Sequence, residues 1–138
     1  MKKKIIKIIL VILWMTLIFC FSNQKSDDSS KVSDGVIKNT IGRVFNISDD
    51  NISQFVKPVR KAAHFTIYLI LGLLVLNCFS IFDKKTIIIS ILICLLYAIS
   101  DEIHQIFISG RSAEILDIII DTLGASLGIF IRKKAARK

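Results

Sequence analysis

Four long apolar blocks constrain this chain more than any other feature: Ile5–Phe21, Ala62–Phe82, Thr86–Phe107 and Ile115–Ile131. A bilayer core needs roughly 20 helical residues, with about 17 as the lower limit, and each block meets that length. Helices of a soluble bundle would carry polar residues at every third or fourth position, and these blocks mostly do not. With 138 residues, 53% of them apolar, and a mean hydropathy of +0.63, the chain reads as one domain, residues 1–138. The predicted fold is all-α: an integral membrane four-helix bundle, with an outer amphipathic helical loop in the segment 22–61.

The net charge of +8 could suggest nucleic acid, but the placement of the charges argues against that partner. Lys2, Lys3, Lys4 and Lys7 open the first block, Lys84 and Lys85 follow the second, and Arg132, Lys133, Lys134, Arg137 and Lys138 follow the fourth. If the helices alternate in direction, all three clusters fall on one side. The positive-inside rule makes that side the cytoplasm, so the expected product is a multi-pass protein of the cell membrane with both termini cytoplasmic. Contact with anionic lipid is a secondary role for the basic ends. The basic, then apolar, start also has the outline of a signal peptide. Phe19 before Cys20 is too bulky for lipoprotein processing, and a retained first helix is the expectation. Cys20, Cys78 and Cys94 lie within apolar blocks, so neither a disulfide framework nor a thiolate metal site follows.

In the segment after the first block, Val32, Val36, Ile37, Ile41, Val44 and Phe45 recur at helical spacing, which predicts an amphipathic helix from about Ser29 to Phe45. Ser26 or Asp28 would cap it, and Gly35 weakens its middle. It would pack as a lid on the bundle, lie in the outer interface against headgroups, or do both. Ile52, Phe55 and Val56 could mark a second short helix opened by Ser48. The N-x-S sequons at Asn46 and Asn51 arise often by chance and carry no inference. Pro58 suits the first turn of the next helix, which would then carry Arg60, His64 and Tyr68 on one face. Asp83–Lys84–Lys85 would make a short turn between antiparallel neighbours. Gly124 and Gly128 form a G-x-x-x-G pair, a face suited to close packing of membrane helices.

This topology gathers the polar residues of the last three helices into one layer. Asp101, Glu102, His104 and Gln105 end the third helix, Asp117 and Asp121 begin the fourth, and Arg60, Lys61 and His64 begin the second. At ~1.5 Å per residue, Asp101 and Asp121 lie only ~10 Å below their helix ends. Asp117, Asp121, Gly124 and Gly128 form one stripe, and Asp101 shares a face with His104 and Gln105. An ionised side chain turned to lipid costs at least ~2.5–3.5 kcal/mol at mid-membrane, so these groups should point inward.

Three readings of the layer stay open. It could be an ion-pair network tying helix ends together, although apolar packing would hold them with less desolvation. It could be a divalent metal site, since Asp101, His104, Asp117, Asp121 and His64 are ligand types for Zn²⁺ or Mn²⁺, although no H-E-x-x-H motif occurs. That cation aside, no cofactor is expected. Finally, Arg60, Lys61 and Arg111 could hold an anionic headgroup with His64, Glu102 and Gln105 beside it, while Asp101, His104, Asp117 and Asp121 orient it or handle protons. In that reading His104 beside Asp101 is the best acid–base pair. Ser109 and Ser112 flank Gly110–Arg111 without the setting of a nucleophile elbow. The membrane lipid-phosphatase pattern, which needs a Ser-Gly-His element, does not occur.

Taken together, F-S-N-Q at Phe21–Gln24, R-K-A-A-H-F-T-I-Y at Arg60–Tyr68, S-D-E-I-H-Q at Ser100–Gln105, Gly110–Arg111 and D-I-I-I-D-T-L-G at Asp117–Gly124 resemble the VanZ-like family. The one mild departure is F-S-N-Q where the family often has F-S-S-Q. The resemblance implies a small bacterial membrane protein of this topology, with a link to the cell envelope and to teicoplanin-type glycopeptide resistance. The expected partner is therefore a membrane lipid or lipid-linked cell-wall precursor, with a glycopeptide as a further candidate. The expected action is recognition of that partner, with acid–base chemistry on it as the alternative.

Overall fold

The computed structural model describes residues 2–23, 49–108 and 113–136, the stretch 49–56 by its backbone. The expected Ser29–Phe45 helix with its caps, Asn46, Ser48 and the Ser109–Ser112 turn lie outside the described residues. Four helices and no strand occur among those described: α1 Lys2–Ser22, α2 Asp49–Asn77, α3 Lys84–Gln105 and α4 Ile115–Ala135. The all-α bundle expected from the apolar blocks is the fold observed.

Three of the helices, α1, α3 and the Lys57–Asn77 part of α2, are long and apolar enough to cross a membrane. The remaining helix, α4, has 21 residues but carries Asp117 and Asp121 near one end and Arg132, Lys133 and Lys134 at the other. Both aspartates are buried, while Ile119, Leu123, Leu127 and Phe130 are exposed, so its outward face is as apolar as those of its neighbours. The basic last turn also complements the partial negative charge at a helix C-terminus.

Two boundaries differ from the sequence reading. Pro58 does not open α2; the helix starts at Asp49 and runs through the proline. A proline inside a helix forfeits one backbone hydrogen bond and costs about 3 kcal/mol. A 29-residue helix tolerates this because propagation beyond a formed nucleus is far easier than nucleation. Ile52, Phe55 and Val56 therefore belong to α2 rather than to a separate helix. The second boundary is the connection after α2, which lies at residues 78–83, earlier than hydropathy suggests. Cys78 and Phe79 close the end of α2 with three-residue hydrogen bonds to the Val75 and Leu76 carbonyls, each 3.1 Å. Asp83 then caps α3, its Oδ1 accepting from the Thr86 N–H at 2.8 Å. Phe79, Ile81 and Phe82 lengthened the apolar block, but the Asp83 cap set the start of α3.

That hydrogen bond holds the Asp83 carboxyl below the usual carboxylate range. A lowered native pKa stabilises the fold above the unfolded value, and the benefit is lost as pH falls through the native one. Asp83→Ala should therefore lower the melting temperature in detergent at pH 7. The difference from the parent should shrink near pH 3, as thermal scans at both pH values would show.

The closest pair in the bundle is α2 with α4. A methyl group added at Gly124 would overlap the Phe65 carbonyl, and one at Gly128 the Leu69 carbonyl, while Gly72 faces Ala125 in the same way. Backbone thus meets backbone along this seam, as small residues permit between membrane helices. The main core cluster includes Ile18, Tyr68, Leu71, Cys94, Ala98 and Ala125, and a second one contains Leu76, Ile87 and Ile129. Helix α1 packs on α2 and α3. Trp14 Nε1 donates to the Ile67 carbonyl at 2.9 Å and the Tyr97 hydroxyl to the Met15 carbonyl at 2.6 Å.

One end of the bundle is basic. Lys7 Nζ reaches the Asn77 carbonyl at 2.8 Å, and Arg132 donates to Asn77 Oδ1 at 2.9 and 3.1 Å while lying 5.0 Å over the Phe82 ring. These contacts join the start of α1, the end of α2 and the end of α4. The other end carries the acidic residues.

Candidate functional site

At the acidic end, α2, α3 and α4 bring together the residues that the sequence placed in one layer. The layer divides into two parts.

The first part is an ion-pair clasp. Lys61 Nζ, on α2, pairs with Asp117 on α4 and with Glu114 just before it, the latter at 2.9 Å. Glu102 Oε2, on α3, accepts the Glu114 backbone N–H at 2.9 Å. Helix α4 has no side-chain cap of its own, so Glu102 supplies an acceptor at its start. These contacts close three helix ends onto one another. Glu114 was not among the expected site residues, because it precedes the apolar block. Its position three residues before Asp117 is the signal that could have found it.

The second part is a buried cluster. Donor atoms of His64 (α2), Asp101 (α3) and Asp121 (α4) all lie within 4.8 Å of one another. Asp121 is 0% exposed and Asp101 3%. The His64 side chain, at 12%, is the most accessible of the three. His64 Nδ1 approaches Asp121 Oδ1 at 3.5 Å without hydrogen-bond geometry. Gln105 Nε2 donates to Asp101 Oδ2 at a long 3.3 Å.

Buried polar atoms in folded proteins nearly always have partners. Here Ser22 Oγ, His64 Nδ1, the Tyr68 hydroxyl, Asp101 Oδ1, Glu102 Oε1, His104 Nε2 and both carboxylate oxygens of Asp121 have none. Among the described residues, every such atom belongs to this layer or the adjoining turns. Each orphan is costly in an apolar setting, and among the described residues they concentrate at this one place.

The expected residues separate accordingly. His64, Asp101 and Asp121 come together; Lys61, Asp117 and Glu102 form the clasp; Gln105 supports Asp101. His104 packs its ring against Phe19 of α1, with centroids 4.4 Å apart, and its Nε2 is buried without a hydrogen-bond partner. The Asp–His pair that the fold builds is His64 with Asp121. Arg60 is half-buried in α2, and Arg111 lies outside the described residues. Ser22 and Tyr68 join the layer as buried, unpartnered hydroxyls. Tyr68 was legible from its four-residue spacing after His64, and Ser22 from the F-S-N-Q element.

An all-α bundle with lipid-length apolar helices, a basic end and a buried acidic layer at the opposite end defines a small polytopic membrane protein. The chain belongs to the VanZ/LLP1 family, whose family model matches residues 7–135. No curated protein and no solved structure matches the chain.

Proposed function

We propose that this protein binds a polar, lipid-linked component of the bacterial cell envelope through its acidic layer. The carrying observation is the collection of orphaned buried atoms around His64, Asp101 and Asp121. The basic end faces the cytoplasm by the positive-inside rule, so both termini are inside and the layer opens to the outer leaflet of the cell membrane. An apolar groove of about 330 Å³ between α1 and α3, lined by Ile12, Met15, Thr16, Phe19 and Tyr97, supports a lipid as the ligand. It reaches Phe19, which stacks on His104, so a chain in the groove would place its headgroup beside the layer. Lipid-linked cell-wall precursor, phospholipid headgroup and glycopeptide are the candidates in that order, the last through the teicoplanin link that the family name implies. Arg60, Lys61 and Arg111 would offset ligand charge, with Lys61 also engaged in the clasp.

The close approach of His64 and Asp121 favours a second reading, in which this pair moves a proton on the bound headgroup. Asp101, Asp117 and His104 would then orient the ligand. Under either reading, Asp121→Asn removes a buried charge that faces the His64 imidazole without a hydrogen bond. The variant should accumulate with unchanged or higher stability yet lose the lipids that the parent retains after gentle extraction, identified by mass. Equal lipid retention by parent and variant would sink the proposal. A product found by mass would select the catalytic reading over simple binding.

A further inference from the structure

The geometry points to a divalent-cation site formed by His64, Asp101 and Asp121. The inference rests on the reading that the acidic layer holds a ligand, and it names the first component held there.

Three observations carry it. The donors come from three different helices, yet all lie within 4.8 Å of one another. Zinc bonds to imidazole nitrogen and carboxylate oxygen of about 2.0–2.2 Å place donors at most about 4.4 Å apart, so small side-chain rotations would complete the set. The second observation is charge. Lys61 is committed to Asp117 and Glu114, so among the described residues neither Asp101 nor Asp121 pairs with a lysine or arginine, and a divalent ion would neutralise both carboxylates. The third is independent of the cluster's composition. The Tyr68 hydroxyl, one helical turn from His64 on the same face, is fully buried and has no partner. A hydroxyl there suits the outer partner that orients a ligating carboxylate.

One imidazole nitrogen and two carboxylate oxygens suit Zn²⁺ or Mn²⁺ better than a thiophilic ion. Three protein ligands leave a coordination position open. An oxygen of an anionic headgroup can fill it, which explains how an acidic layer could hold an anionic ligand. Sequence spacing alone cannot isolate this set, since it offers His104 and Asp117 equally; the fold gives Asp117 to Lys61 and His104 to Phe19.

The test uses the full chain, purified in mild detergent without chelator and dialysed against Zn²⁺ or Mn²⁺ in separate arms. About one ion per chain is expected by elemental analysis. His64→Ala and Asp121→Asn should each lower metal retention at least about tenfold, the loss that even outer-shell changes can bring. Glu114→Gln, in the clasp, should retain the ion. If either ligand variant fails to fold, Co²⁺ titration of the parent chain decides, through the visible absorption of a low-symmetry site. A parent chain below a tenth of an equivalent in both arms, or flat Co²⁺ spectra, would overturn the inference, as would unchanged metal in both variants. Lipid mass spectrometry on the same samples separates the two proposals. Lipid retained without metal removes the cation site and keeps the lipid reading, whereas metal retained without lipid does the reverse.

Discussion

Gly128→Leu is expected to abolish accumulation of the folded chain in membranes, or to lower its stability by at least about 3 kcal/mol, the upper end of ordinary overpacking penalties. A Cβ at this position would overlap the Leu69 carbonyl oxygen and lie 3.1 Å from the Leu73 nitrogen. Both obstacles are backbone, so no rotamer change can relieve them, and the helices themselves must separate. The damage should not stay local. The α2–α4 seam also sets the distance between Lys61 and Asp117 and between His64 and Asp121, so a wedge at Gly128 should loosen the acidic layer as well. Leu127→Ala, on the exposed face of the same helix, should change stability by no more than about 0.5 kcal/mol. Denaturant titration in mixed micelles, followed by helical circular dichroism, would compare the two. A Gly128→Leu chain as stable as the parent would show that α2 and α4 do not meet by backbone contact.

Much of this arrangement was legible because it depends on periodicity within one helix. Asp117, Asp121, Gly124 and Gly128 fall on one stripe whatever the rest of the chain does, and the fold turns that stripe onto α2. Features that depend on two or more helices were harder to read. His104 shares a face with Asp101 by spacing, but its surroundings depend on where Phe19 of α1 arrives, and the nearly uniform apolar run of α1 after Lys7 gives little rotational signal. Lys61 resembled a free cation for an anionic ligand because its two partners lie 53 and 56 residues away. The two ends of α2 differ from the sequence reading for local reasons. Pro58 is a strong local start signal that the helical register on either side of it overrides, and flanking apolar residues mask the Asp83–Thr86 cap.

Lys61→Met provides the second large effect and separates the two parts of the layer. Removing the ammonium leaves Asp117, buried at 5% exposure, without its cation. Breaking a buried ion pair from one side costs about 3–5 kcal/mol. Because the Lys61 side chain is 24% exposed, water can reach the pair, and the loss should fall at or below the lower end of that range. Asp117→Asn in the same chain should recover much of it, since a neutral amide no longer needs the cation. A double-mutant cycle should give a coupling of about 0.5–3 kcal/mol, the range for residues in direct contact. The clasp and the buried cluster thereby respond in opposite ways. Lys61→Met costs stability because the clasp is satisfied within the protein. Asp121→Asn should cost none, and should even increase it, because neither buried Asp121 oxygen accepts a hydrogen bond there. If Lys61 serves only as a headgroup cation, Lys61→Met will lower lipid retention and leave the unfolding midpoint where it was. A fall in the midpoint that Asp117→Asn reverses assigns Lys61 to the framework and leaves ligand binding to His64, Asp101 and Asp121.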